Sequence, residues 1–197
     1  MHYMKYISKV REHFDKQMVF TLRDLRIFLK KEAISVGYAD LLLHNMVSKG
    51  EITRITKGVY TFNKDLEVVG FAFPPFYYGL QDALSLRNIW EQETNPIVIT
   101  LKKVRTGIRQ IMDSNVLVRK ISRKMFFGFE LIKCNNYWLP VSDAEKTLID
   151  FVYFNESLPK DTLEELTKKV QGKKLETYLK KTPKRTRAKV ERLLKLK

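Results

Sequence analysis

Three carboxylates and a lysine fall within the stretch Ser142-Asp143-Ala144-Glu145-Lys146-Thr147-Leu148-Ile149-Asp150. Clustered acids of this kind can hold a metal ion and activate water for phosphodiester cleavage. The spacing favours a different use. Ser142 and Glu145 stand in the S-x-x-E relation of a helix capping box. Asp143 falls in the first turn, where negative charge suits the helix dipole. A metal-dependent nuclease signature sets Asp/Glu-x-Lys on a strand, whereas Glu145 and Lys146 are adjacent and on a predicted helix. The stretch reads as a helix start, and no catalytic residue is assigned.

The other chemistry-bearing residues are sparse. The histidines are His2, His13 and His44, and none stands at metal-ligand spacing from another or from Cys134. Cys134, the single cysteine, reads as a small buried hydrophobe. No G-x-G-x-x-G or P-loop occurs, and the eight glycines are scattered. No metal and no cofactor are expected. Phe71, Phe73, Phe76, Tyr77 and Tyr78 surround Pro74-Pro75. They read either as a stacking platform for single-stranded nucleic acid or, preferably, as an aromatic hinge packed on a core.

The strongest positional pattern lies in residues 33–62. Tyr3, Tyr6, Ile7, Val10 and Phe14 predict a first helix over residues 3–14. Met18-Val19-Phe20 is a short extended piece. Thr21 caps a second helix with Asp24 three residues on, and Leu22, Leu25, Phe28 and Leu29 form its buried stripe. Ser35 is expected to cap a third helix with Val36, Ala39, Leu43, Met46 and Val47 inward. Gly50 suits the left-handed position that stops this helix. A hairpin of Ile52–Ile55 and Val59–Phe62 turns around Thr56-Lys57-Gly58.

This order predicts a winged helix-turn-helix, in which the third helix enters a DNA major groove and the hairpin lies on the backbone beside it. The candidate DNA-binding residues are Ser35, Tyr38, Leu41, His44 and Asn45 on the helix, and Arg54, Thr56 and Lys57 on the wing.

Charge supports the same end of the chain. The net charge is +15 over 197 residues. Residues 1–64 hold 12 cationic and 6 acidic side chains, residues 65–159 hold 11 of each, and residues 160–197 hold 14 and 5. The surplus sits at both ends, as expected of surfaces that neutralise phosphates and release counterions. The 44% hydrophobic share is ample for a core. No apolar run approaches the ~18 residues needed to span a membrane. With one cysteine and no signal-peptide core at Met1-His2-Tyr3-Met4-Lys5-Tyr6, a soluble, cytoplasmic chain is expected.

The predicted fold class is α+β. It comprises a winged helix-turn-helix over 1–64, a mixed α/β domain over 65–158 and a lysine-rich helical end over 159–197. In the middle domain, Leu66–Phe73 reads as extended, Tyr78–Trp90 as helix, Pro96–Leu101 and Asn115–Ile121 as strands. Phe126–Ile132 and Tyr137–Val141 read as a strand pair around Asn135-Asn136, and Asp143–Phe154 as a helix. Helical spacing recurs over 160–170, 173–181 and 183–196. The cations Lys173-Lys174, Lys180-Lys181 and Lys184-Arg185-Thr186-Arg187 read as a solvated face, as phosphate contacts outside the main site, or as a surface for an acidic partner.

Lys49-Gly50-Glu51-Ile52 with Lys57-Gly58-Val59-Tyr60, then Tyr78-Gly79-Leu80-Gln81-Asp82-Ala83-Leu84-Ser85, then Asp143–Asp150, resemble in that order the AbiEi-type antitoxin and transcriptional regulator family. The resemblance covers roughly residues 5–155. It implies a winged-helix DNA-binding domain followed by a mixed α/β domain associated with antitoxin activity. It further implies an autorepressor that binds an inverted repeat in its own promoter and counters a nucleotidyltransferase-like toxin encoded beside it. Unlike the pattern expected of the family, the helix around Tyr38–Asn45 is not rich in Arg or Lys, which shifts weight to the wing and the basic end.

The first functional expectation is therefore a sequence-specific DNA-binding regulator. It would be the antitoxin of a toxin–antitoxin pair, with double-stranded promoter DNA and a cognate toxin as partners. Two copies are expected on the inverted repeat, with either a monomer or a dimer when free. The alternatives are a metal-dependent nuclease centred on Asp143, Glu145 and Asp150, and a winged helix used only as a protein-interaction module.

Overall fold

A computed structural model describes residues 2–92, 94–135 and 137–195, with side chains described between Tyr6 and Leu194. The side chain of Tyr3, expected on the inward face of the first helix, and the turn residue Asn136 lie outside what is described. The chain divides into two compact units, one of Met1–Ala72 with Gln110–Ser114 and one of Phe73–Arg109 with Asn115–Lys197.

In the first unit, α1 (His2–Phe14), α2 (Leu22–Lys31) and α3 (Ala39–Ser48) combine with β1 (Phe20–Thr21), β2 (Thr53–Thr56) and β3 (Val59–Thr61). The core takes Ile7, Val10 and Phe14 from α1, Leu25, Phe28 and Leu29 from α2, and Ala39, Leu42, Leu43 and Met46 from α3. These are the i, i+3, i+4 and i+7 positions that put one helix face against its neighbours. Phe20 stacks on Phe14 at 4.6 Å and on Phe62 at 5.7 Å. The start of α2 is closed from both sides: the Thr21 hydroxyl accepts from the Asp24 amide, and the Asp24 carboxylate accepts from the Thr21 amide. The sheet order is β1-β3-β2, all antiparallel.

Two expectations about α3 are corrected. Ser35 does not cap it; the helix begins at Ala39 after a 3-10 turn at Val36–Tyr38, and the Ser35 hydroxyl makes no capping bond. Val36 and Val47 are exposed and Leu42 is buried instead. At about 100° per residue the stripe centres on Ala39, Leu42, Leu43 and Met46, and Val47 falls some 80° to its side.

The second unit holds the greater part of a six-stranded mixed sheet. Its strands are β4 (Phe76–Tyr78), β5 (Ile97–Thr100), β6 (Gly107–Ile111), β7 (Ser114–Lys120), β8 (Phe129–Cys134) and β9 (Tyr137–Ser142), in the order β6-β7-β5-β4-β9-β8. The pairs β5–β7 and β4–β9 are parallel, while β4–β5 and β8–β9 are antiparallel. Period-two alternation turns Tyr77, Ile97 and Ile99 toward a helical layer. That layer consists of α4 (Leu80–Leu86), α5 (Ala144–Phe154), α6 (Lys160–Lys169), α7 (Gly172–Lys181) and α8 (Lys184–Lys195). Its core carries Leu80, Leu84, Leu148, Ile149 and Phe151, and also Leu166, Leu175, Leu179 and Val190 from the lysine-rich helices.

Local patterns misread three segments here. Leu66–Ala72 is a 3-10 helix rather than extended, since a short continuous apolar run does not distinguish the two. The helix expected over Tyr78–Trp90 is only α4, because Phe76–Tyr78 is a central strand. Between them, a β-carbon on Gly79 would lie 2.4 Å from the Ile99 side chain, so a larger residue at this strand-to-helix turn would require Ile99 to repack. Strand β6 was not expected; its Gly107-Ile108-Arg109-Gln110 is mostly polar. Phe73, Phe76, Tyr77 and Tyr78 are buried, which removes them from any stacking surface for bases.

Candidate nucleic-acid interface

The outward face of α3 presents Leu41, 53% exposed, together with exposed His44 and half-buried Asn45. Ser35 is exposed ahead of the 3-10 turn. Tyr38 is half-buried and meets Tyr6 edge-on at 6.2 Å, so its ring serves packing as well as surface. Asp40, in the first turn of α3, is bridged by Arg26 of α2 at 2.8 Å. That pair is exposed and worth little in stability, but it neutralises the acid on this face. Residue spacing did not foresee the bridge, because its members lie on different helices.

The β2–β3 hairpin places Arg54 opposite Tyr60 and Thr56 opposite Val59, with a register shift between them. Gly58 takes φ +74°, the left-handed conformation that the tight turn requires and that glycine adopts without strain. Its carbonyl accepts a 3.0 Å hydrogen bond from the Leu22 amide, which ties the turn to the start of α2. Arg54 and Lys57 are exposed and Thr56 is half-buried. Neither cation forms an ion pair among the described residues. Two free cations and the α3 side chains thus sit on one small unit held rigidly by its own core.

Residues 8–63 match the family model for transcriptional regulators of the AbiEi antitoxin type. The match covers the helices and hairpin just described and leaves residues 64–197 outside it. No curated protein matches the chain.

Beyond residues 8–63, α5 shows what the acidic stretch does. The expected capping box of Ser142 and Glu145 is not formed. Asp143 is the N-cap, and its Oδ1 accepts from the Lys146 amide at 2.8 Å. The Ser142 hydroxyl instead pairs with that of Thr147 at 2.7 Å. Glu145 reaches away from its own helix: Oε1 accepts from the Gln171 amide at 2.7 Å, and Oε2 lies 3.2 Å from Lys174. Lys174 also bridges Asp143 at 3.1 Å, and the Tyr178 hydroxyl donates to Asp143 Oδ2 at 2.8 Å. Both carboxylates therefore clamp α7 onto α5. Burial and the Asp143 carboxylate push the Tyr178 hydroxyl up to about 12.

Asp150 belongs to a separate, wholly buried group. It is bridged by Lys146 and accepts from the Tyr77 hydroxyl at 2.9 Å, while Lys146 donates to that same hydroxyl at 2.9 Å. All three side chains are inaccessible. Burial raises the Asp150 carboxyl and lowers the Lys146 ammonium, each against the pull of the other's charge. Asp143 and Glu145 thus share Lys174, while Asp150 belongs to a separate buried group. Among the described residues no group of three His, Cys, Asp or Glu side chains could hold a metal ion. Nor is any described helix long and apolar enough to cross a membrane.

Proposed function

We propose that the chain is a sequence-specific DNA-binding regulator built on a winged helix-turn-helix, and the autorepressing antitoxin of a toxin–antitoxin pair. The reading rests on one coincidence: the family match over residues 8–63 contains both α3 and a hairpin with two free cations. In this reading α3 is the recognition helix. His44 and Asn45 meet base edges or sugar–phosphate, and Leu41 supplies apolar contact of the kind a thymine methyl accepts. Ser35 and Tyr38 approach the backbone at the helix start. Arg54, Thr56 and Lys57 hold phosphate on the wing.

Operator symmetry then brings two copies to an inverted repeat, and repression follows from occupying the promoter. No cofactor is needed. The proposed domains over 65–158 and 159–197 are left for contacts with protein, including a nucleotidyltransferase-like toxin. The cytoplasm is the compartment where promoter DNA and such a toxin would both be met.

The test is a gel-shift titration on the chain's own upstream DNA across a salt series. Replacing Arg54 and Lys57 with Ala should weaken binding to all sequences alike and reduce the log–log salt slope by about one per side chain removed. An unchanged slope in the double variant would refute the wing assignment. A neighbouring nucleotidyltransferase-like reading frame whose toxicity this chain relieves would support the antitoxin role.

A further inference from the structure

Strand β8 lies at one edge of the six-stranded sheet, paired on one side only, with β9. An edge strand presents a row of backbone donors and acceptors that another strand can satisfy, and proteins usually blunt such edges with charge. Here the blunting is slight. Glu130 is held by Arg87 at 2.8 Å, which leaves Lys133 as the strand's single unpaired charge among the described residues. On the face that carries Lys133, β8 and β9 instead expose large apolar side chains. Leu131 is 63% exposed and lies opposite Pro140; Trp138 is 59% exposed and lies opposite Lys133. An exposed tryptophan beside leucine and proline at a sheet edge is the composition of an interface centre rather than of a solvated surface.

We propose that two copies of this chain pair through β8, antiparallel about a two-fold axis at Leu131, to form one continuous sheet. Directly opposed residues of an antiparallel pair point to the same face, so a residue on the axis meets itself. With Leu131 there, Phe129 lies opposite the partner's Lys133, and Glu130 opposite the partner's Ile132. The sequence Phe129-Glu130-Leu131-Ile132-Lys133 is thus self-complementary: leucine meets leucine, the lysine stem lies on an aromatic ring, and no charge faces a like charge directly. Shifting the axis to Ile132 would instead put Leu131 against the partner's Lys133.

Charge favours a second copy as the occupant. The +15 surplus resides wholly in residues 1–64 and 160–197, while residues 65–159, which contain all six strands, carry 11 cations and 11 anions. Two copies therefore meet through the electrically balanced part of the chain. The isologous contact closes on itself, as a two-fold dimer must. The inference does not depend on DNA binding, and its test uses the protein alone.

Sedimentation equilibrium of the full chain should give a mass rising from 23.3 kDa toward twice that value as concentration increases. Leu131→Lys and Leu131→Glu should each remain monomeric over the same range, because each sets like charges face to face on the axis. An equimolar mixture of the two should regain the doubled mass, since lysine then faces glutamate. Leu131 is exposed, so both variants should keep the wild-type circular dichroism. A wild-type chain that stays monomeric, single variants that still dimerise, or a mixture that fails to pair would each overturn the proposal.

Discussion

At the scale of single residues, α5 shows how an acidic cluster becomes structure. Each carboxylate has an assigned donor, and the partners come from α5 itself, β4 and α7. The buried Lys146–Asp150 pair is costly to desolvate, and removing one partner leaves an uncompensated charge. Lys146→Met should therefore destabilise the protein by about 3–5 kcal/mol. Lys146→Met/Asp150→Leu should recover part of that, though the Tyr77 hydroxyl would then lack its acceptor. Urea unfolding of the two variants measures the difference.

Tyr178 gives a pH signature. Its folded value of about 12 exceeds the ordinary tyrosine value of 10.0, so its contribution to stability is complete below about 10 and fades as pH rises to about 12. Tyr178→Phe should cost about 1.5 kcal/mol near neutrality, the scale of a hydrogen bond to a charged group. It should also flatten the fall in urea midpoint across that alkaline window.

At the scale of elements, short-range signals place the helices and turns of the first unit. Thr21 and Asp24 close the start of α2 reciprocally, and Gly58 turns the hairpin while its carbonyl fastens the turn to that same helix. The hairpin's orientation thus depends on the α2 start, which carries the cap as well as the anchor. Thr21→Ala should lower thermal stability by about 1 kcal/mol. In the proposed regulator it should also weaken DNA binding without altering the salt slope, because no phosphate contact is removed. Parallel melting curves and gel shifts separate the two effects.

Considered as a whole molecule, the chain puts its basic end to structural use. Leu175, Leu179 and Val190 are buried in the core of the second unit, although the helices that carry them have lysine-rich outer faces. Each such side chain contributes about 1.5–3 kcal/mol when buried, against a total stability of roughly 5–15 kcal/mol for a domain. A chain ending before Gly172 should accordingly lose near-ultraviolet circular dichroism and aggregate. Replacing the exposed Lys173, Lys180 and Lys181 with Gln should leave the spectrum intact. If the truncated chain stayed soluble with native spectra, the carboxyl-terminal helices would be an appendage rather than part of the core.

The sequence by itself determined whatever neighbouring residues decide. This covers the Thr21–Asp24 cap, the stop at Gly50, the hairpin turn at Gly58, the three carboxyl-terminal helices and the uneven distribution of charge. These depend on backbone preferences and on hydrogen bonds spanning a few positions. Only the tertiary structure decided which helix Glu145 serves, that Lys146 and Asp150 are sealed beneath Tyr77, and that Phe76–Tyr78 is a central strand rather than a helix start. It also decided that β8 stands at an edge. Those outcomes turn on partners tens of residues away, and a side chain's burial or pairing is a property of the surface it meets. An adjacent spacing such as Ser142-x-x-Glu145 offers a local bond, but a remote amide and a remote ammonium, at Gln171 and Lys174, together outcompete it.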